Sequence, residues 1–329
     1  MDQFAVDDNL MPTLPVAVVV DVDPDWRMPG PQSSDPTREM LWEGLRRGVP
    51  SLLRMLTGLR DSGGKPIRFT WMVRADEQIA SVYGDAGHIA DEFADFWSLR
   101  LAAGDEIGWH PHTWRYSERE AIWYQEYSDQ DWVRECLRDG FQALSRRYPI
   151  RAAKTGWTYH DNFTMRTLTE LGVRVDLSAL PGMAYHGAAQ ASALPLGDYD
   201  WSRTPQEPYH PRIDDYQVPG EGQALGILEV PNWTYPVGRA RGLQHSIRHR
   251  SLRDFANPAK RASLVRRAFG GPPYTVPFVC YFHPEELLGP TWLFGLRNVF
   301  ENLSLLLQTC HDRGLRSSFV VASEICSGS

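Results

Sequence analysis

The sequence has 329 residues, of which 42% are hydrophobic and 23% charged, and it carries a formal net charge of -7 at pH 7. This composition is typical of a soluble globular protein, and the acidic balance argues against nucleic acid as the main partner. No apolar run approaches the roughly 20 residues of a membrane span. The four cysteines form no C-x-x-C pair, which argues against zinc ribbons and dithiol redox motifs.

Strands and helices are predicted to alternate along most of the chain. Apolar, β-branched runs predict strands at 15–20, 67–73, 105–110, 152–157, 173–178, 226–231, 278–283 and 316–322. Helices are predicted from Thr37 toward Asp61 with a kink at Pro50, and at 77–103, 129–148, 162–172 and 291–313, with Asn162 as a cap. This alternation predicts right-handed crossovers and a parallel sheet closed into a barrel, in a single domain covering 1–329.

Two stretches interrupt this alternation. Residues 180–225 are rich in proline, glycine, tyrosine and aspartate, so we expect a long ordered loop inserted between strands, in a position to cover a substrate. Residues 239–267 hold nine arginines and lysines against a single acid, Asp254. Such a run is usually a solvated helix face, and the alternative is a lid that binds an anionic substrate.

Acidic and imidazole side chains follow two of the predicted strands. Asp21 and Asp23 end the first strand, and His110 and His112 end the third, each pair spaced so that both side chains point to one face. Singly, such residues are most often turn formers, caps or satisfied core groups. Together, a carboxylate and two imidazoles at neighbouring strand ends are the ligands of a divalent metal site.

The sequence resembles the metal-dependent polysaccharide deacetylases over most of its length. The similarity rests on Val20-Asp21-Val22-Asp23, on the G-x-E-I-x-x-H pattern from Gly104 to His110, on the stretch from Lys154 to Leu171, and on Tyr281-Phe282-His283-Pro284. The resemblance implies an irregular (β/α)7 barrel in which Asp21 is the general base and His283 the general acid. It further implies that Asp23, His110 and a second histidine bind the metal.

The chain departs from the family pattern at two positions. The family's second histidine lies four residues after the first, where this chain has Trp114, and we assign His112 instead because it shares a face with His110. Lys154 stands where many members have an arginine that positions the base, and its point charge could do the same electrostatic job without the bidentate geometry; we also group it with the substrate-binding residues. Three tryptophans complete that group as candidate pocket lining: Trp26, Trp157 and Trp201.

The resemblance, together with these residues, implies a metal-dependent hydrolase that removes an acyl group, typically acetyl, from the amide nitrogen of a small amino sugar or glycosylated metabolite. The cofactor expected is one divalent ion, zinc first, with iron, cobalt, nickel and manganese also compatible with nitrogen and oxygen ligands. The start of the sequence, Met1 to Asp8, has no basic region or apolar signal core, so we expect a cytoplasmic protein with no membrane or nucleic-acid partner.

Two other functions fit parts of the pattern. An amidohydrolase with two metals would use the H-x-H strand, a modified Lys154 and scattered histidines such as His186, His210 and His245, but such enzymes carry H-x-H on their first strand. A non-catalytic carbohydrate-binding barrel would use Trp201 and its neighbours without turnover. Two bound ions per chain would favour the first alternative, and binding without hydrolysis the second.

Overall fold

A computed structural model describes residues 13–25, 35–187, 194–195, 197–237, 240–244, 276–289 and 295–325. Within this part of the chain, one parallel sheet of eight strands organises the molecule. Its strands are β1 (Thr13–Val22), β2 (Phe69–Arg74), β3 (Glu106–His110), β6 (Ala152–Ala153), β7 (Val175–Asp176), β12 (Leu228–Glu229), β15 (Phe278–Phe282) and β16 (Arg316–Phe319). All eight predicted strands are therefore confirmed, although β6, β7 and β12 are shorter than the apolar runs that predict them.

The sheet is curled. Seven strands follow the order β12-β7-β6-β3-β2-β1-β15, and β16 pairs with the first half of β1. Trp233, just beyond β12, donates its backbone N–H to the carbonyl of Val279 in β15 at 3.0 Å, which brings the two edges of the sheet together. This arrangement, with helices outside, confirms the expected irregular barrel.

β1 lies at the centre of the fold and is buried on both faces. Val16, Val18 and Val20 pack into the large core under the helices, whereas Ala17 and Val19 belong to a second, smaller core. Alternation of side chains along a strand explains the separation. We call the face of the sheet that carries this smaller core the inner face and the helix-covered face the outer face. The inner core is lined by Ala17, Val19, Met72, Ala152, Val175, Leu177, Val230, Val279, Tyr281 and Ala322.

The helices follow the predicted order with three differences. They are a π-helical turn (Gly44–Gly48) continuing as α1 (Val49–Leu56), then α2 (Glu77–Tyr83), α3 (His88–Glu92), α4 (Ala94–Ala102), α5 (Gln130–Ser145), α6 (Asn162–Glu170), α7 (Leu296–Asp312) and α8 (Ala322–Ile325). The first helix begins at Gly44 rather than at Thr37, because the carboxylate of Asp25 accepts the backbone N–H groups of Glu43 and Gly44. The cap of α6 is Asp161, and Asn162 is its first helical residue.

The third difference concerns the helix predicted over 77–103, which is three short helices. α2 ends at Gly84, whose φ of 79° lies in the left-handed region that terminates a helix. Farther along, two-stranded pieces occupy much of the predicted 180–225 loop: β8 (Ala184–Tyr185) with β9 (Tyr199–Asp200), and β10 (Pro211–Arg212) with β11 (Asp215–Pro219). The insertion therefore contains short hairpins.

Two further hairpins flank the main sheet: β4 (Trp114–Ser117) with β5 (Ile122–Gln125), and β13 (Thr234–Val237) with β14 (Ala240–Gln244). The basic segment predicted at 239–267 lies outside the described residues except for the backbone of β14. Among the residues that the structure describes, no helix combines the length and hydropathy needed to span a bilayer.

Candidate metal centre

The carboxyl ends of the parallel strands meet at one mouth of the sheet, and polar side chains replace the apolar ones there. Asp21 follows Ala17 and Val19 on the inner face of β1, and Arg74 follows Met72 on β2. His110 ends β3, and His283 comes directly after β15, in the same parity as Val279 and Tyr281. Because the strands are parallel, these ends lie side by side and their side chains converge.

Asp23, His110 and His112 form a cluster that fits a metal ion. The Nε2 atom of His110 lies 3.6 Å from Oδ2 of Asp23, and the Nε2 atom of His112 lies 3.4 Å from Oδ1. The three potential ligand atoms lie within 4.8 Å of one another, and all three residues are buried. One carboxylate and two imidazoles directed at a single point can bind a divalent ion and leave some of its coordination positions open for water or substrate.

His112 provides the test of that fit. Its Nε2 atom is buried without a hydrogen-bond partner among the described residues, which is costly unless something else binds it. Burial, together with the neighbouring Arg74 guanidinium, lowers the pKa of His112 to about 4. The imidazole is therefore neutral near pH 7, as a ligand must be.

Backbone contacts orient both rings. The carbonyl of Lys154 lies 2.5 Å from Nδ1 of His110, so Nδ1 donates to it and leaves the lone pair of Nε2 directed at Asp23. The ring of His112 stacks on Trp114 with centroids 5.6 Å apart, and it also lies against Gly156. A Cβ at Gly156 would stand only 2.1–2.3 Å from three ring atoms, so this close approach requires glycine.

Asp21 sits beside the cluster with a different set of partners. Its Oδ2 atom forms an ion pair with the Lys154 ammonium, which also lies 3.7 Å from the ring centre of Tyr281. Burial acts to raise the pKa of Asp21, but the Lys154 ammonium and nearby imidazoles outweigh it and keep the pKa below its usual value. The Oδ1 atom has no hydrogen-bond partner among the described residues. Asp21 thus presents an ionised carboxylate with one free oxygen.

The predicted general acid lies on the same site. The Nε2 atom of His283 is 3.6 Å from Oδ2 of Asp21 and 3.8 Å from Oδ2 of Asp23. On the other side of the ring, Nδ1 lies 3.4 Å from Oε2 of Glu286, and the same carboxylate accepts the His283 backbone N–H at 2.9 Å. The structure therefore brings together all five of the predicted catalytic and metal-binding residues: Asp21, Asp23, His110, His112 and His283.

Lys154 and two of the tryptophans lie among the described residues. Lys154 is buried and its ammonium pairs with Asp21, at the position where a point charge beside the base is expected; its role in substrate binding stays a prediction. Trp201 is fully buried, packs in the core and donates its indole N–H to the Thr158 carbonyl at 2.7 Å, and its role in substrate binding stays a prediction. Trp157 is half-buried, 6.4 Å from Trp114. Trp26 lies outside the described residues.

Arg74 belongs to this site, although the sequence analysis did not identify it. Its guanidinium is completely buried, lies 3.3 Å from Oδ1 of Asp23, and is held by Asp76 at 2.6 Å and by Gln78. An arginine ending a predicted buried strand, followed by a helix-capping aspartate, is the signal that marks it, because a buried guanidinium needs carboxylate partners. Glu286 and Gly156 are likewise recognised only from their contacts.

Comparisons with known proteins give similarity of structure but not of sequence. No protein-family model and no curated protein matches the chain. A family 4 carbohydrate esterase from Streptomyces lividans in complex with acetate is 11% identical over 94% of each chain, with a TM-score of 0.38. A Bordetella bronchiseptica protein assigned to the polysaccharide deacetylases is 12% identical over 88% of this chain and 89% of its own, with a TM-score of 0.35. A 4-alpha-glucanotransferase from Thermococcus litoralis is 10% identical, with 96% of this chain and 38% of its own covered, and a TM-score of 0.43. At these identities and scores, none of the three bears on the activity of this chain.

Proposed function

We propose that this protein is a metal-dependent amide hydrolase that removes an acyl group from the nitrogen of a small amino sugar or glycosylated metabolite. One observation carries the proposal: a three-residue ligand cluster lies beside two further ionisable groups, Asp21, which pairs with Lys154, and His283, which contacts Glu286. Hydrolysis of an amide needs a base for the attacking water and an acid for the departing amine. The site contains a candidate for each.

Each residue of the site has a separate role in the proposed reaction. A divalent ion held by Asp23, His110 and His112 would supply Lewis acidity, which polarises the acyl carbonyl and makes a water molecule easier to deprotonate. Asp21 accepts the water proton on its free Oδ1 atom, while Lys154 keeps the carboxylate ionised. His283 donates a proton from Nε2 to the leaving nitrogen, and the carboxylate of Glu286 beside Nδ1 stabilises the charged imidazole.

Zinc is the ion that this donor set favours, and iron, cobalt, nickel and manganese also accept mixed nitrogen and oxygen ligands. Fewer contacts bear on the substrate class than on the metal. Trp157, half-buried beside Trp114, provides an aromatic surface near the cluster on which a sugar ring can pack. We infer an N-acetylated amino sugar as the first substrate to test.

The contacts of Lys154 weigh against the two-metal amidohydrolase. That chemistry needs a lysine carrying an added carboxylate, which would place a second negative charge against Asp21. Here the Lys154 nitrogen pairs with that same carboxylate and faces the ring of Tyr281, both of which are interactions of an ammonium. A carbohydrate-binding barrel based on Trp201 loses its main residue, since that indole is buried.

The test is a screen of N-acetylated sugars and glycosides with zinc-loaded protein, in which released acetate is measured. Removal of a general base lowers a rate by about 10²–10⁴-fold, so Asp21→Asn should lose turnover by that factor and still bind zinc. Wild-type protein that binds zinc but releases no acetate from any member of the panel, and leaves each bound sugar intact, would refute the hydrolase proposal and favour a binding protein.

A further inference from the structure

The turn after β6 touches three groups of the candidate metal centre through three different atoms. The carbonyl of Lys154 accepts from His110, the ammonium of the same residue pairs with Asp21, and the Cα of Gly156 lies against the ring of His112. A displacement of residues 154–156 would therefore move both imidazoles and the base at once. What holds this segment in place matters for the whole site.

Ser178 holds the segment from the outer face of the sheet. Its side chain is fully buried, and Oγ accepts the backbone N–H of Thr155 at 2.8 Å and the Thr155 hydroxyl at 3.0 Å. The Ser178 hydroxyl in turn donates to Oδ1 of Asp176 at 2.8 Å. One donor and two lone pairs are all that a serine hydroxyl offers, so this group is completely used.

Asp176 is itself fixed by two buried neighbours. The Nε2 atom of His160 lies 3.0 Å from its Oδ2, and Glu229 stands opposite it in the adjacent strand. Burial and the Asp176 charge raise the pKa of Glu229 well above its usual value. Its Oε1 atom accepts the backbone N–H of Ala179 at 2.9 Å. The His160 contact and the Ser178 hydrogen bond hold the Asp176 carboxylate in place.

The backbone just beyond the segment needs such support. Trp157 and Thr158 are consecutive non-glycine residues with φ of 55° each, in the left-handed region, and Thr158 is β-branched. Such residues persist only where the surrounding structure holds them, and they concentrate at functional sites. The anchored Thr155 is directly before this strained turn, and its carbonyl accepts the N–H of Thr158 at 3.0 Å.

We propose that Ser178 is a positioning residue of the metal centre: its hydroxyl, held by Asp176, fixes residues 154–156 and so aligns His110, His112 and Asp21. The inference rests on the proposed function and extends it to a serine that touches neither an ion nor a substrate. Ser178 acts on the metal ligands through one backbone segment. A buried serine with only a structural role would not change the positions of those ligands.

The experiment measures Co²⁺ affinity and the visible absorption of the Co²⁺-loaded protein for Ser178→Ala. The matched control is Ser317→Ala, because Ser317 is also buried and also bonds a backbone N–H and a hydroxyl, those of Ser62, but pairs with the opposite end of β1. Loss of a residue that supports metal ligands weakens metal binding about 10–100-fold, and we expect the lower end for Ser178→Ala, with a changed absorption band. Ser317→Ala should retain wild-type affinity and spectrum.

Equal Co²⁺ affinity and spectra in wild type and Ser178→Ala would overturn the inference, as would equal losses in both serine variants. Wild-type protein that binds no Co²⁺ would instead overturn the proposed function, and the inference with it. If Ser178→Ala does not fold, Thr155→Val and Thr155→Ser give the same test, since only the first removes the hydroxyl that donates to Ser178. Weaker Co²⁺ binding in Thr155→Val alone supports the inference, and identical binding in both refutes it.

Discussion

Replacing Gly156 with alanine adds one methyl carbon against the imidazole of His112. The new carbon would lie 2.1 Å from Cε1, 2.2 Å from Nδ1 and 2.3 Å from Nε2 of that ring, whereas ordinary contacts begin at 3.4 Å. The ring must therefore retreat by more than about 1 Å, but metal–ligand distances are held to about 0.2 Å. His112 would cease to be a ligand although it is unchanged.

We expect Gly156→Ala to weaken Zn²⁺ binding by about 100-fold or more, the upper end of what loss of a supporting partner costs. Crowding of the site should lower the free energy of unfolding by about 1–3 kcal/mol. Zn²⁺ affinity is measured by titration calorimetry and unfolding by urea. The matched control is Gly226→Ala, where the nearest atom to the added carbon is 3.9 Å away and affinity should not change.

His112→Ala gives the direct comparison, and both variants should bind Zn²⁺ weakly. Wild-type Zn²⁺ affinity in a folded Gly156→Ala protein would refute the reasoning, because it would mean that displacement of His112 does not matter. Full activity and metal retention in His112→Ala would show that another residue is the second imidazole ligand.

Three other predictions follow from the same contacts. Asp23→Ala should abolish both metal binding and turnover, whereas Asp21→Asn should lower turnover by about 10²–10⁴-fold and keep the metal, as measured by Zn²⁺ titration beside acetate release. Loss of metal in Asp21→Asn would contradict the division of roles. Chelation should lower the free energy of unfolding of wild type by about 2.7 kcal/mol relative to protein with Zn²⁺ at 100 times its Kd, and should leave Asp23→Ala unchanged in urea titrations. Because the pKa of Glu229 is raised by burial and by Asp176, the folded state binds its proton more tightly than the unfolded state, so stability falls as pH rises above the unfolded value. Glu229→Gln should remove this contribution, which is up to about 1.4 kcal/mol per pH unit, so its free energy of unfolding should fall less steeply than that of wild type between about pH 5 and about pH 9. Equal slopes in the two proteins would disprove this prediction.

The strands and the site-bearing ends could be predicted because the pattern that specifies them is local. β1 is a continuous apolar run buried on both faces, and the residue that ends its inner-face series, Asp21, follows from parity alone. The spacing of His110 and His112 predicts convergence in the same way. Once the ends of β1 and β3 are placed near one another, the cluster with Asp23 follows.

The rest depends on contacts between distant parts of the chain. Nothing local distinguishes Gly156 from a turn glycine, since its role is set by the ring of His112 against it. Arg74 at a strand end resembles a surface residue until Asp23 and Asp76 are seen around it. The burial of Trp201 could not be predicted either, because an aromatic residue in a polar loop has the same sequence signature whether it lines a pocket or is buried under it.

The central claim is that Asp23, His110 and His112 bind one divalent ion. A crystal of the protein grown with Zn²⁺, with diffraction recorded on both sides of the zinc absorption edge, tests it directly. We expect one anomalous peak at about 2.0–2.2 Å from a carboxylate oxygen of Asp23 and from Nε2 of each histidine. A peak located elsewhere, or none at this cluster in Zn²⁺-saturated protein, would contradict it.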